Sequence, residues 1–238
     1  GIPIETTPKP MNQFAEVTIG HQVWMTKNLD VDKFRNGDPI PQAKTIEEWK
    51  TADYSKKPAW CFYNNDPANG AKYGKLYNWY AVNDPRGLAP VGYHVPSNAE
   101  WETLKNYLGN KAEYGLKSSS GWHFWQTGGS KTCPNCKDWN AEYRKKVPCH
   151  TCKDTRSLPA PWVTHSGNGT NSSGFSGLPG GYRSHNGDDY SISSYGAWWS
   201  SDWEYYQAYA HILQNFSYGL GYGLSDKAEG LSVRCLRD

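Results

Sequence analysis

The chain has 238 residues, a formal net charge of +2 and 20% charged residues, set against 12 Trp, 17 Tyr, 24 Gly and 15 Pro. That length suits one continuous core with insertions. The near-neutral charge excludes a nucleic-acid groove, which needs a concentrated basic face, and no apolar run of about eighteen residues reads as a transmembrane helix.

The opening "GIPIETTPKPMNQ" lacks the basic, apolar and small-residue succession of a signal peptide. Residues 1–15, rich in Pro and Thr, read as a flexible segment at the trimmed edge of a mature chain, ahead of one domain over 16–238. Val17 and Ile19, then Val23 and Met25, alternate with polar neighbours about Gly20-His21 and predict a hairpin. Thr45 and Glu48 have capping-box spacing and predict a short helix over 46–52. Asp66, Asn69 and Gly70 in "NNDPANG" read as a turn. "YGKLYNWYAVND" predicts a helix over 73–82 with Leu76 and Tyr80 buried. A second capping box, Ser97 and Glu100, precedes an apolar stripe of Trp101, Leu104 and Leu108, with Gly109 as the stop. The last third predicts strands over 197–201, 207–213 and 230–236, separated by Gly, Ser, Asn and Asp clusters. Two or three short helices followed by an antiparallel sheet and long loops define an α+β fold. Loops of that length in a compact domain point to function.

The six cysteines fall into two groups. Cys133, Cys136, Cys149 and Cys152 form two Cys-x-x-Cys knuckles, a spacing that aims paired sulfurs at one tetrahedral ion. Structural zinc is the favoured reading of this inserted loop, about 128–160. Nearby lysines and Arg144 would offset the charge of four thiolates, and four Cys ligands would leave no open position for a catalytic water. His150 or His165 could replace a ligand. The alternative is two disulfides, cross-paired because a bond closed within Cys-x-x-Cys is strained. Cys61 and Cys235, both in strand-like contexts, form either one disulfide closing a loop of about 175 residues or two buried free thiols.

Aromatic residues concentrate in "AWWSSDWEYYQAYAHILQNFSYGLGY". Trp and Tyr rings stack on the apolar faces of sugars, and neighbouring carboxylates and amides bind hydroxyls. Trp203, Tyr205, Tyr206, Tyr218 and Tyr222, beside Asn215 and Asp226, are the candidate ligand surface. Alternation predicts that one of Trp198 and Trp199 is buried, and that Tyr209 with His211, or else their neighbours, face inward. Tyr218 and Tyr222 lie in a Gly-rich stretch that reads as an exposed loop.

"VTIGHQVWMTKNLDVDKFRNGDPIP", "PAWCFYNNDPANGAKYGKLYNWYAVNDPRGLAPVGYHVPSNAEWETL", "GFSGLPGGYR", "WWSSDW" and "LSVRCLRD" resemble successive blocks of the Fibrobacter succinogenes major paralogous domain. The resemblance implies a secreted or lipid-anchored bacterial surface protein with a C-type-lectin-like fold, akin to formylglycine-generating enzymes. Those enzymes use paired cysteines near the end of the fold, where this chain offers only Cys235. No Gly-x-Ser-x-Gly or His-Glu-x-x-His occurs, and "GAKYGK" falls short of a phosphate loop. The chain therefore reads as a non-catalytic glycan-binding or adhesion module. The other reading is a protein-recognition scaffold of the retroelement-diversified kind. Calcium, the usual ligand bridge of lectins, would find oxygens at Asn186, Asp188 and Asp189, but the Glu-Pro-Asn and Trp-Asn-Asp motifs are missing. Metal analysis should find one zinc per chain; chelation should lower the melting temperature while leaving ligand binding intact.

Overall fold

The computed structural model describes residues 14–127, 131–132, 157–158, 163–216 and 219–238. Two strands, β1 (Glu16–Ile19) and β2 (Gln22–Met25), form the expected hairpin, with Gly20 at φ +62° in its turn. Helix α1 (Ile46–Tyr54) carries the Thr45–Glu48 capping box and buries Trp49. The single helix expected over 73–82 is instead three pieces. After β3 (Trp60–Cys61), the turn-like "NNDPANG" starts helix α2 (Pro67–Tyr73), capped by Asp66. Gly74, at φ +79°, ends it, β4 (Leu76–Tyr77) pairs with β3, and Asn78 caps α3 (Trp79–Val82). Two capping side chains and one left-handed glycine outweigh the apolar periodicity there. Leu76 is buried on a strand, and Tyr80 is half-buried.

Strand β5 (Tyr93–His94) precedes α4 (Asn98–Leu108), whose Ser97–Glu100 capping box and buried Trp101 and Leu104 follow the sequence pattern. Helix α5 (Ala112–Leu116) follows. Residues Phe124–Gly167 form a compact unit, wider than the insertion drawn over about 128–160. Within it β6 (Trp125–Thr127) pairs with β9 (Val163–His165), and β7 (Lys131–Thr132) pairs with β8 (Ser157–Leu158). The four knuckle cysteines lie outside the described residues.

The larger unit continues with the pair β10 (Tyr182–Arg183) and β11 (Asp189–Tyr190). A three-stranded antiparallel sheet follows: β12 (Tyr195–Glu204), β13 (Gln207–Gln214) and β14 (Gly221–Asp226). Strand β14 replaces the expected Gly-rich loop, so Tyr222 is a strand residue. The sheet has apolar packing on both faces. Ala197, Trp199, Ala208 and Ala210 enter one cluster, while Trp198 and Leu213 enter the other. Both tryptophans of the pair are therefore fully buried, where alternation against water predicted one.

The expected strand over 230–236 is an extended ribbon that changes partners at almost every residue. Gly230 bonds Arg183, Leu231 bonds Tyr77, Val233 accepts from Leu29 and Cys235 accepts from Met25. Only β15 (Leu236–Arg237) is regular, lying between β2 and β5 in a four-stranded sheet that joins the two ends of the domain. Residues 14 and 15 belong to the fold: Phe14 packs edge-on against Tyr93 at 5.5 Å, and Ala15 accepts the Thr26 N–H.

The Cys61–Cys235 disulfide is not formed. Both are buried free thiols, Cys61 packed with Trp49 and Leu76, Cys235 in the cluster of Trp60 and Val233. Cys61 lies on β3 and Cys235 in the irregular ribbon just before β15, and burial raises the pKa of both thiols.

Arg234 is fully buried among the described residues with no carboxylate partner. Its Nε and Nη2 donate to Asn28 Oδ1 at 3.1 and 2.7 Å, and Nη1 donates to the carbonyls of Met25 and Phe175. The Phe175 ring lies 4.4 Å from the guanidinium carbon. Burial lowers the Arg234 pKa to about 9, so the charge is retained at neutral pH. Asn28 Oδ1 also accepts from Trp198 Nε1, while its amide nitrogen donates to Tyr73 O and Ser232 Oγ. Asn28→Ala would remove the acceptor of the Arg234 Nε and Nη2 groups and of the Trp198 indole N–H, leaving Nη1 on its two carbonyls. It should cost about 3 kcal/mol in urea unfolding, the scale for leaving buried hydrogen bonds to a charged group unmade, whereas Asn36→Ala at the exposed Asn36–Asp38 contact should cost well under about 1 kcal/mol.

Candidate functional site

The aromatic surface sits at the tip of the β12–β13 hairpin. Register shifts between Trp199 and Trp203, so β12 carries extra residues opposite β13. They turn toward the start of α4: the Ser201 N–H bonds Pro96 O at 2.9 Å, and the Asp202 carboxylate accepts the Asn98 N–H at 2.7 Å. Beyond this anchored bulge, Trp203 emerges half-exposed, and Tyr205 and Tyr206 form the turn with 79% and 90% of their surface open. Tyr205 takes φ +50°, an uncommon conformation for a bulky residue.

Lys227 fixes this tip. Its Nζ lies 3.9 Å from the Trp203 ring and 4.6 Å from the Trp79 ring, and it donates to Tyr205 O at 3.1 Å. The ammonium thus caps two indoles whose own centroids lie 6.0 Å apart, while tied to the turn backbone. Burial, reinforced by Lys56, lowers its pKa. Asp226, one residue earlier, is held by the Ala228 N–H at 2.9 Å. Burial and the charge of Asp226 raise the pKa of Asp53, and burial likewise raises that of Glu229, with Asp226 adding to it. Tyr80 Oη donates to Asp53 at 3.4 Å. Stacking rings, one ammonium and a group of carboxylates therefore lie along the β14 end of the tip.

The remaining candidate residues separate from it. Tyr222 is exposed on β14, opposite His211, with its ring 6.4 Å from Tyr209 and 5.8 Å from Lys105 Nζ. Asn215 is buried, its amide turned toward His123 O, so it belongs to the frame rather than to a ligand surface. Tyr218 lies outside the described residues. His211 is buried and stacked on Trp101 at 4.8 Å, and it donates from Nε2 to Asn98 Oδ1. Burial first, then Lys105, pushes its pKa down to about 3, so it stays a neutral structural group. Tyr209, its near neighbour on the same face, donates to Glu204 at 2.7 Å.

Lys227 and Trp79 are the members of the tip that sequence reasoning missed. Lys227 directly follows Asp226, but only the β13–β14 register brings it under Trp203. Trp79 arrives from a segment more than a hundred residues away, without a motif.

Of the oxygen ligands considered for calcium, the Asp189 carboxylate takes the Nε and Nη2 groups of Arg183 at 3.2 and 2.7 Å, while Asn186 and Asp188 are exposed. Among the described residues no group of three His, Cys, Asp or Glu side chains is arranged to hold a metal ion.

A separate polar group lies in a cavity of about 470 Å³ that also includes His21 and Arg237. His94 is held by both ring nitrogens, Nδ1 to Asp238 and Nε2 to Glu100, each at 2.8 Å.

An α+β domain with antiparallel sheets, presenting a braced aromatic hairpin, is the class that fold and site define. The chain belongs to the Fibrobacter succinogenes major domain family, which it matches over residues 17–237. No curated protein and no solved structure matches it. No helix among the described residues is long and apolar enough to cross a membrane.

Burial opposes the charge on His94, but its hydrogen bonds to Asp238 and Glu100 outweigh it and raise the pKa above 6.5. For Glu100, burial is outweighed by hydrogen bonds from Ser97 and His94, and the pKa falls below 4.5. The His94 contribution to stability is complete below 6.5 and is lost as pH rises through its raised value. The Glu100 contribution is complete above 4.5 and is lost as pH falls through its lowered value. In urea unfolding, His94→Gln should therefore destabilise the protein more at pH 6 than at pH 9.

Proposed function

We propose that this chain is a non-catalytic recognition module, secreted or displayed on the bacterial surface, that binds glycan at the β12–β13 tip. The observation that carries this reading is the cluster of Lys227 with the adjoining Trp79 and Trp203 rings, which fixes an aromatic platform before any ligand arrives. Preorganised rings lose little entropy on binding. Trp203 and Tyr206 would stack on sugar faces, and Asp226 would accept from hydroxyls. The C-type-lectin-like reading draws support from the sheet that joins both ends of the domain and from the long segments that connect its strands. Structural zinc at Cys133, Cys136, Cys149 and Cys152 would fasten the inserted unit without joining the chemistry. A protein ligand is the second reading, favoured by the exposed Tyr222 and Leu224 on β14.

A glycan array on the full chain should yield binders. Trp203→Ala should weaken them about thirtyfold, the effect of losing an aromatic anchor worth about 2 kcal/mol. Undiminished binding by the Trp203→Ala/Tyr206→Ala double variant would sink the reading.

A further inference from the structure

Strand β14 is the outer strand of its sheet, and among the described residues no strand lies on its far side. It pairs with β13 over six residues without a register shift, from Ile212↔Gly221 to Gln207↔Asp226. Proteins that remain monomeric blunt such edges with lysine, proline, a bulge or a covering segment. "GYGLSD" has no lysine or proline, is unbulged and bears its one charge at its last residue. Tyr222 and Leu224 stand opposite His211 and Tyr209, so they share one face, and both are exposed. On the other face a Cβ at Gly223 would meet nothing within 4 Å, so the backbone is open to approach.

Charge is arranged along this edge with opposite signs at its ends. Asp226 closes one end, while at the other Lys105 reaches from α4 to within 5.8 Å of the Tyr222 ring, also pairing with Glu102 at 3.3 Å. An edge negative at one end and positive at the other complements a copy of itself running antiparallel.

We propose that β14 is a homodimer edge, at which a second copy of this chain adds its own β14 antiparallel about Leu224 to form a six-stranded sheet. A two-fold axis perpendicular to the sheet pairs residues of the same face. Leu224 then meets the partner's Leu224, and Tyr222 meets the partner's Asp226 with Lys105 alongside. Backbone hydrogen bonds across the edge supply affinity, and the leucine contact and two lysine–aspartate pairs set the register. The stacking rings of Trp203, Tyr205 and Tyr206 lie off the β14 strand, so Leu224→Lys and Trp203→Ala separate this inference from glycan binding, with Asp226 common to both surfaces.

Sedimentation velocity on the full chain across a concentration series should show a monomer–dimer equilibrium. Leu224→Lys should weaken it about tenfold or more, whereas Trp203→Ala should leave it unchanged. Lys105→Glu and Asp226→Lys should each weaken the dimer, and their combination should restore it, with near-UV circular dichroism confirming the native fold of each variant. A chain monomeric at every concentration overturns the proposal, including the case in which the edge accepts a strand from another protein. A dimer indifferent to Leu224→Lys, or a charge swap that restores nothing, overturns it equally.

Discussion

The fold depends on one buried cation. Arg234 has no counter-ion among the described residues, and its charge is spread over the Asn28 carbonyl, the carbonyls of Met25 and Phe175, and the Phe175 ring. A guanidinium can be buried this way because its fork of donors meets several neutral acceptors in one plane. The geometric demand is severe, and it links distant parts of the chain. The loop after β2, the Phe175 turn, the C-terminal ribbon and β12, through Trp198, all converge on Asn28. With short strands and few long helices, such a node supplies the registration that extended ladders provide in more regular folds.

Tryptophan does related work elsewhere. Eight of the nine tryptophans with described side chains are buried, Trp203 being the exception. Trp49, Trp60, Trp79, Trp122 and Trp199 donate their indole N–H to backbone carbonyls of remote segments: Ala228, Ile40, Ser200, Gly177 and Tyr77. A loop-rich domain exposes many carbonyls that no ladder satisfies. Tryptophan meets that need while burying a large apolar area, so its abundance reflects the economy of irregular backbone more than a surplus for ligand. Trp101 is the contrast, because its N–H has no hydrogen-bond partner among the described residues and it contributes through stacking on His211.

This explains what was legible in the sequence. Capping boxes are local, so α1 and α4 could be read directly, and the first hairpin declared itself by alternation about Gly20. The breaks around α2 and α3 were also local, in Asp66, Gly74 and Asn78, but were masked by an apolar run that serves a strand and two helices in turn. Burial of both Trp198 and Trp199 could not be seen, because it depends on apolar packing on both faces of the sheet. The C-terminal ribbon read as a strand since it is extended and apolar, yet its partners are set by tertiary packing. Cys61 and Cys235 invited a bond on strand context alone; only Cys61 is on a strand, and the two thiols are buried in different apolar clusters. Within the candidate site, aromatic clustering points to Trp203, Tyr205, Tyr206 and Tyr222, which are all exposed, but of these only Tyr222 carries a local sign of exposure, in its glycine neighbours. Asn215 looked equally available, but its side chain turns inward.

The β12 bulge reconciles a rigid tip with an otherwise buried strand. From Tyr195 to Trp199 the strand is confined between two apolar clusters and cannot present a side chain to solvent. Without the shift after Trp199, β12 would continue in simple register with β13 to its end. The additional residues are instead spent on α4: Asp202 occupies the N-terminal N–H of Asn98, where a carboxylate also meets the positive end of the helix dipole. Anchored there, the strand resumes pairing at Trp203, and Lys227 closes over the ring from the opposite side of the hairpin. Rigidity at the tip thus derives from two ion-assisted contacts at its base, and the aromatic side chains beyond them are left free to meet a partner.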